Sequence, residues 1–315
     1  MGSRYGRGVN PFLATKARPL VVGHRGAPRY HQENTLASFR RAAALGVPAV
    51  ELDVVASADG VPVVFHDAEV DRLTDGHGRV DRLPWDRLAR LRLRRELTYV
   101  GADGAPVVMR YARAEPIARL DEVLAELDPR VAINVEVKIG LPRWWRTEVA
   151  VQVAAAITAA GAADRVIVTS FDPRKLRAVR RAAPAVDTGF CFDDTMLDFA
   201  GPLLDRLPPL TGRLVHTRRN PLLALEWILA AHLVGRALPS RVVGAEHTLI
   251  GPHTVASLRH RGIAVGTHTL FPLTSPTTKP PAAAAFTDAE VARLAACGVD
   301  WIETDDPERV MALLR

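Results

Sequence analysis

The sequence predicts a barrel of parallel strands, and two observations support this. Short apolar runs recur along the chain, beginning with Leu20 to Gly23, and polar or charged side chains stand at their ends. One stretch of about 45 residues contains two histidines, His24 and His66, an arginine and at least two carboxylates. Because the carboxyl ends of parallel barrel strands meet at one rim, this arrangement predicts that the reactive groups lie together.

The second strand is predicted from the alternating run Ala49 to Val54. Residues two apart on a strand share a face and lie about 6.6 Å apart along it, so Glu51 and Asp53 point the same way. Two acids on an inner face are unfavourable unless a cation lies between them. The alternative is an edge strand with one hydrated face. The run follows a helical stretch and a Gly-Val-Pro turn, which favours a repeating strand–helix unit.

The same alternation recurs from Val131 to Lys138. Asn134, Glu136 and Lys138 share one face, and the apolar residues between them share the other. A third carboxylate therefore joins Glu51 and Asp53. Three carboxylates without a cysteine favour one hard divalent cation, Mg²⁺ or Ca²⁺, with water in the remaining positions. An ordinary ion pair at the rim is the alternative for Glu136 and Lys138.

Seven short motifs together resemble the glycerophosphodiester phosphodiesterase family, from about residue 19 to the C-terminus and in family order. They are His24-Arg25-Gly26, Glu33-Asn34-Thr35, Glu51-Leu52-Asp53, His66-Asp67, Glu136-Val137-Lys138, Ser170-Phe171-Asp172, and Gly298-Val299-Asp300 with Thr304-Asp305-Asp306-Pro307. One such tripeptide has little weight, but seven in order at family-like spacing are a strong signal.

The resemblance implies a (β/α)8 TIM barrel over residues 19–315, after an N-terminal extension over 1–18. It also implies an insertion over 68–115 after strand 2, which we interpret as a small cap at the catalytic rim. The implied roles are then as follows: metal ligands Glu51, Asp53 and Glu136; acid–base pair His24 and His66; phosphoryl-binding residues Arg25 and Lys138; and Phe171 packing against the alcohol moiety.

The implied reaction is metal-dependent hydrolysis of glycerophosphodiesters to glycerol 3-phosphate and an alcohol. A phosphodiester is an anion, so a cation with Arg25 and Lys138 offsets the charge that develops in the transition state. Two histidines can remove a proton from the attacking group and protonate the leaving alkoxide. The attacking group is either a substrate hydroxyl, which would give a cyclic phosphate, or water.

Further elements follow from periodicity. A helix is expected from Thr35 to Gly46. Five more strands bring the total to eight: Val166–Ser170, Ala185–Phe190, Val242–Glu246, Ile263–Thr267 and Val299–Glu303. We interpret Leu214–Thr217, a ninth candidate strand, and an apolar helix from Pro221 to Val234 as an elaboration between strands 5 and 6. That helix is either buried on one side or forms a surface that meets lipid or a second subunit.

The sequence departs from the family in two places. The family usually has Trp-Thr-Val-Asn at strand 7, whereas this chain has Val265-Gly266-Thr267-His268-Thr269. Gly266 is therefore expected to leave a gap beside the alcohol site, partly filled by His268. The connection from Leu270 to Phe286 is long for a barrel, and either of its two phenylalanines, Phe271 or Phe286, is expected to cover that gap.

Composition narrows the partners. The 315 residues carry a net charge of +6, but the arginines are spread along helix surfaces without interleaved aromatic residues, which argues against nucleic acid. No apolar run reaches the roughly 18 residues of a membrane span, and no signal peptide is recognised, so a cytoplasmic location is expected. Peripheral contact with lipid headgroups stays open, and the oligomeric state is not predicted. Cys191 and Cys297 are expected to be packing residues, and His77 a loop histidine.

Three alternatives compete with this function. Lysophospholipase D-like hydrolysis of lysophospholipids is favoured by the changed strand 7 and the apolar 221–234 segment. A metal-dependent barrel that abstracts protons from carboxylate substrates would not need both His24-Arg25-Gly26 and His66-Asp67. A catalytically lapsed binding barrel is disfavoured because both histidines and all three carboxylates are present.

Overall fold

Eight parallel strands form a closed barrel in the computed structural model, which describes residues 9–139, 146–193, 225, 228–275 and 282–315. The first strand, β1, pairs with both the second and the last, and this closes the sheet. The barrel strands are β1 (Leu20–Gly23), β2 (Ala49–Ala56), β7 (Ala132–Val137), β8 (Val166–Ser170), β9 (Asp187–Phe192), β10 (Val242–Glu246), β11 (Ala264–Leu270) and β12 (Trp301–Thr304). The predicted (β/α)8 barrel and its eight strands are confirmed.

Helices pack around the outside of the barrel. They are α1 (Leu36–Ala44), α3 (Leu120–Glu126), α4 (Glu148–Ala159), α5 (Pro173–Ala182), α6 (Pro252–His260), α7 (Asp288–Cys297) and α8 (Pro307–Leu313). The predicted first helix is confirmed, because the Thr35 side chain caps α1 by accepting a hydrogen bond from the Ser38 N–H. Outward-facing Val50, Leu52 and Val54 of β2 are buried in the layer between sheet and helices.

The lower interior of the barrel is apolar, and the N-terminal segment inserts a side chain into it. The Phe12 ring is fully buried and meets the Trp301 indole edge to face, with ring centroids 5.5 Å apart. Asn10 fixes this segment by donating from its Nδ2 to the Val166 carbonyl. Phe12 thus belongs to the barrel core, although it lies within the predicted N-terminal extension. The other residues of this layer are Leu20, Val22, Ala49, Ala132, Ile167 and Val242.

The segment after β2 forms a small body beside the upper rim. It contains β3 (Pro62–Val64), α2 (Trp85–Leu88), the hairpin of β4 (Glu96–Val100) and β5 (Pro106–Arg110), and β6 (Ala118–Arg119). Its own apolar cluster includes Phe65, Leu88 and Tyr99. The exact limits of a cap at residues 68–115 stay a prediction.

Two predicted elements lie wholly or partly outside the described residues. Leu214–Thr217 is outside them, and the Pro221–Val234 segment is described only at Leu225 and residues 228–234. Leu225, Leu229 and Val234 are buried in the core beside β10 and β11. Among the described residues, no helix combines the length and the apolar character needed to cross a bilayer.

Candidate active site

The carboxyl ends of the barrel strands surround a cavity of about 290 Å³. The lining residues are His24, Arg25, His66, Arg72, Glu136, Lys138, Phe171, Asp193, His268, Thr269, Pro272, Leu273, Thr274, Ser275, Glu303 and Asp305. Glu51 and Asp53 are buried next to this lining, in contact with Arg25 and Lys138. The structure therefore brings all eight predicted site residues together.

The three predicted metal ligands converge because β2 and β7 are neighbours in register. Asp53 is paired with Glu136 across the two strands, and Glu51 precedes Asp53 by two residues on the same face. One carboxylate oxygen from each of Glu51, Asp53 and Glu136 lies within 4.8 Å of the others. Such an all-oxygen set suits Mg²⁺ or Ca²⁺.

The electrostatics of the three carboxylates are unequal. Burial, reinforced by the nearby Asp53 and Glu303, raises the pKa of Glu51 well above its usual range. Its Oε2 accepts from the Arg25 backbone N–H at 3.0 Å, while its buried Oε1 finds no hydrogen-bond partner among the described residues. A buried carboxylate oxygen without a donor is unfavourable, and a bound cation would satisfy it. The three carboxylates are therefore a suitable ligand set for a divalent cation.

Asp53 is held as a carboxylate by its neighbours. Burial alone would raise its pKa, but Lys138 and Arg25 outweigh that effect and lower it. Lys138 Nζ lies 3.3 Å from Asp53 Oδ1 and 2.8 Å from Glu136 Oε1, and Arg25 Nε lies 3.1 Å from Asp53 Oδ2. The Asn34 amide also donates to Asp53 Oδ2 at 2.8 Å. Both predicted phosphoryl-binding cations are thus anchored on the carboxylate cluster.

Each histidine is oriented by a carboxylate. His24 Nδ1 lies 2.7 Å from Asp305 Oδ1, and His66 Nδ1 lies 2.7 Å from Asp67 Oδ1. A carboxylate at Nδ1 favours the tautomer with a proton there, which leaves Nε2 to exchange protons with a ligand. Burial, together with Arg25 and Lys138, lowers the pKa of His66, so its imidazole is neutral near pH 7.

A strained turn after β1 presents Arg25 to the site. Arg25 has a φ of 55° and Asn34 a φ of 60°, both in the left-handed region that non-glycine residues rarely adopt. Gly26 follows with a φ of 94°, where an added Cβ would lie 2.5 Å from Ser38 Oγ. Backbone strain of this kind persists where the surroundings enforce it, commonly at functional sites.

Comparison with known proteins identifies the family. The model of the glycerophosphoryl diester phosphodiesterase family matches residues 24–309. The chain belongs to this family. It is also 27% identical over 299 residues to a glycerophosphodiester phosphodiesterase of Caldanaerobacter subterraneus subsp. tengcongensis, and the match covers 95% of this chain and 98% of the relative. The chain is thus a phosphoric diester hydrolase.

Solved structures agree with the fold. A glycerophosphodiester phosphodiesterase from Agrobacterium tumefaciens str. C58 superposes with a TM-score of 0.63 at 22% identity, covering 93% of this chain and 99% of that one. An Oleispira antarctica phosphodiesterase, solved with its product sn-glycerol-3-phosphate, gives a TM-score of 0.61 at 20% identity, covering 94% and 96%.

The expected gap at Gly266 is absent, so this prediction is wrong. A Cβ added to Gly266 would lie 1.6 Å from the Trp301 indole, which fills the space inside the barrel beside that position. The neighbouring position on the same face is His268, which lines the cavity and meets Phe171 edge to face at 6.2 Å. Burial lowers the pKa of His268 to about 3, so its ring is neutral at working pH.

The expectation that Phe271 covers the alcohol site is also wrong. Phe271 is buried in the core cluster beside β11 and β12, with the Arg309 guanidinium 4.2 Å from its ring centroid. Phe286 packs partly against the same cluster. The residues of this connection that line the cavity are instead Pro272, Leu273, Thr274 and Ser275. Residues 276–281 lie outside the described part of the chain.

Four residues of the site received no predicted role from the sequence. Asp67 and Asp305 hold the histidines, Glu33 binds Arg25 at 2.7 Å, and Glu303 accepts from the Asn134 amide at 2.7 Å. Burial raises the pKa of Glu303 to about 7. Asp67, Asp305 and Glu33 lie inside the recognised motifs, so position alone was the available signal.

The remaining sequence interpretations concern residues away from the cavity. His77 is largely exposed, at 81% of its side chain, and pairs with Asp71 in a surface turn. Cys191 is buried inside the barrel, Cys297 is half-buried on α7, and both thiols are free. Neither cysteine therefore forms a disulfide.

Proposed function

We propose that this protein hydrolyses glycerophosphodiesters with the help of one divalent cation and the acid–base pair His24 and His66. The observation that carries the proposal is the arrangement of the two imidazoles. Each is oriented through Nδ1 by its own carboxylate, and both line the cavity that Glu136 and the neighbouring Glu51 and Asp53 approach.

The charge of the site supports the need for a cation. Glu51, Asp53 and Glu136 place three carboxylates against the two cations Arg25 and Lys138. Burial beside Asp53 and Glu303 raises the pKa of Glu51, so a bound cation is what would stabilise all three side chains as carboxylates. The three carboxylates would hold Mg²⁺ or Ca²⁺, and the bound ion would offset charge on the phosphoryl oxygens.

The chain's own residues supply binding and proton transfer. Arg25 and Lys138 would bind phosphoryl oxygens, because both cations line the cavity and are fixed there by ion pairs with Asp53. One imidazole would take the proton from the attacking oxygen through Nε2, and the other would give a proton to the alkoxide oxygen as its bond to phosphorus breaks. The attacking oxygen belongs to water or to a hydroxyl of the substrate.

The substrate class follows from the family and from the shape of the site. A product, sn-glycerol-3-phosphate, is bound in the Oleispira antarctica relative. In this chain the products would be glycerol 3-phosphate and an alcohol. Phe171 and His268 form an aromatic wall beside the two catalytic histidines, and we assign the alcohol moiety to that side.

Lysophospholipids are a second candidate substrate class, because apolar groups adjoin the same rim. Leu273 and Pro272 line the cavity, and the Val100 N–H of β4 bonds to the Thr274 carbonyl next to them at 2.8 Å. On the partner strand, Val107 and Val108 are exposed at 37% and 42%. Such side chains would contact the acyl chain or a lipid surface.

One experiment tests both candidates. The purified protein is stripped with EDTA, its metal content is checked by elemental analysis, and it is then reloaded with Mg²⁺ or Ca²⁺. Turnover is measured on glycerophosphocholine, glycerophosphoethanolamine and lysophosphatidylcholine. We expect no turnover without a cation and restored turnover on the glycerophosphodiesters with one of the two ions.

Asp53→Asn provides the control, because it keeps the shape of the side chain but removes a ligand charge. This variant should bind the ion more weakly and turn over slowly with either ion and on every substrate. Full activity after exhaustive chelation would rule out the cation. A preference for lysophosphatidylcholine over glycerophosphocholine would favour the second candidate.

A further inference from the structure

Arg72 lies in the insertion, yet its guanidinium reaches the catalytic cavity. Its Nε lies 2.6 Å from Asp67 Oδ2 and its Nη2 3.1 Å from Asp67 Oδ1, a two-point contact with one carboxylate. The same Nη2 lies 3.2 Å from Glu33 Oε1. One arginine therefore binds two carboxylates from separate segments of the chain.

Each of these carboxylates holds a different member of the proposed machinery. Asp67 Oδ1 is 2.7 Å from His66 Nδ1, and Glu33 Oε1 is 2.7 Å from Arg25 Nη1. Arg72 is thus one contact removed from an acid–base group and from a phosphoryl-binding group.

We propose that Arg72 is a positioning residue that couples the His66–Asp67 pair to the Arg25–Glu33 pair, so that the insertion sets the orientation of both. This inference rests on the proposed function, because it takes His66 and Arg25 as parts of the machinery. Arg72 acts through the two carboxylates and is not assigned a contact with substrate.

The charges explain why the coupling needs an arginine. Asp67 and Glu33 are both anionic and both contact Arg72. Without Arg72, each of these carboxylates would lose a positively charged neighbour. The planar guanidinium can bond to both at once through fixed N–H directions, which a lysine ammonium does less well. The pKa of Glu33 agrees with this. Burial alone would raise it, but Arg25 and, to a smaller extent, Arg72 lower it to about 2.

The insertion makes a second, weaker tie to the same network. The Tyr99 hydroxyl of β4 donates to Glu33 Oε2 at 3.1 Å, and its ring is almost fully buried. This contact reaches the Arg25 branch and not the His66 branch. Tyr99→Phe therefore separates the two branches, since it removes the hydrogen bond and keeps the ring.

The test is a double-mutant cycle, with kcat, KM and cation affinity measured for each variant on glycerophosphocholine and bis-p-nitrophenyl phosphate. Arg72→Met should lower kcat by about 10- to 100-fold and leave cation affinity within about threefold of the wild type. In a His66→Ala background only the Arg25 branch is left for Arg72 to orient. There Arg72→Met should lower kcat by less than about threefold, and its remaining effect should be a rise in KM.

Graded variants sharpen the result. Arg72→Lys keeps the charge but not the two-point contact, so we expect an intermediate kcat, and this variant also serves if Arg72→Met folds poorly. Tyr99→Phe should raise KM more than it lowers kcat, because its hydroxyl contacts the Arg25 branch.

Arg119→Met is the matched control. It removes an ion pair to Asp121 and a stacking contact with Trp85 at the edge of the insertion, and activity should be unchanged.

Two outcomes would overturn the proposal. One is a kcat for Arg72→Met within threefold of the wild type. The other is a loss of equal size in the wild-type and His66→Ala backgrounds, which would indicate direct substrate contact or general destabilisation. The proposed function is tested separately within the same cycle, because an active His66→Ala single variant would contradict the acid–base role itself.

Discussion

The two ends of the barrel interior are built by the same strands and hold opposite kinds of side chain. On β2, Ala49 lies in the apolar lower layer, and Glu51 and Asp53 lie towards the catalytic rim. On β12, Trp301 fills the lower layer, and Glu303 lines the cavity two residues later. Each of these two strands therefore changes from apolar to charged between one inward-facing position and the next.

A polar middle layer separates the two ends. Trp301 Nε1 donates to Glu303 at 3.2 Å, the Asn134 amide donates to the same oxygen, and Thr169 Oγ1 donates to Asn134 at 2.8 Å. The lower end is packed with apolar side chains, whereas the upper end concentrates buried charges, which are costly to stability. Substitutions at the upper rim should therefore alter activity, and those at the lower end should alter stability.

The largest effect is expected at the upper rim. His24→Ala and His66→Ala should each lower kcat by about 10²- to 10⁴-fold, because each removes one of the two proposed acid–base groups. Cation affinity and melting temperature should stay close to the wild type. Steady-state kinetics and calorimetry check this. His77→Ala, at an exposed histidine of the insertion, is the matched control. Activity within about tenfold of wild type in either variant would argue against the role.

The converse prediction concerns the lower end. Phe12→Ala should lower the free energy of unfolding by about 3–5 kcal/mol, because a fully buried ring that contacts Trp301 is replaced by a cavity. At a temperature where the variant is folded, kcat should stay within about threefold of wild type. Val9→Ala, an exposed residue of the same segment, should change neither quantity. A fall in kcat without a loss of stability would contradict the claim that the lower end of the barrel serves stability and not activity.

Charge burial near the upper rim should also give a pH signature. Lys175 of α5 is 2% exposed and donates to the Lys138 carbonyl, and burial lowers its pKa to about 8 from an ordinary 10.5. The unfolded state thus binds more protons between these values, so stability contributed by Lys175 rises with pH across that window.

Lys175→Met removes this dependence. From pH 7 to pH 10 the wild type should gain about 2 kcal/mol of unfolding free energy relative to the variant, measured by urea denaturation at each pH. Arg180→Met, at an exposed arginine on the same helix, should show no such change, because arginine stays protonated. A difference independent of pH would mean that Lys175 is as protonated in the native state as in the unfolded state.

The smallest predicted effect concerns the side of the cavity that we propose for the alcohol moiety. His268→Ala removes one ring of the Phe171–His268 pair, worth about 1 kcal/mol in such contacts. Relative rates among glycerophosphodiesters should shift by up to about tenfold, and the rate on bis-p-nitrophenyl phosphate should change little. Equal losses on every substrate would place His268 in support of the catalytic centre.

Local patterns in the sequence were sufficient for the strands and for the grouping of several site residues. Alternation with a period of two placed Glu51, Asp53, Glu136 and Lys138 on inward faces, because successive side chains on a strand point to opposite sides. Helical periodicity located α1 within the expected range from Thr35 to Gly46. The family motifs then identified which of these residues to group.

Only the closed barrel determined which residues contact each other across it. His24 and Asp305 are 281 positions apart, and their pairing depends on β1 lying beside β12. Gly266 is explained by the Trp301 indole from the neighbouring strand, which alternation along one strand cannot reveal. Likewise Phe12 entered the core from outside the predicted domain. Periodicity fixes the face of a side chain, whereas register and closure decide its depth and its neighbours.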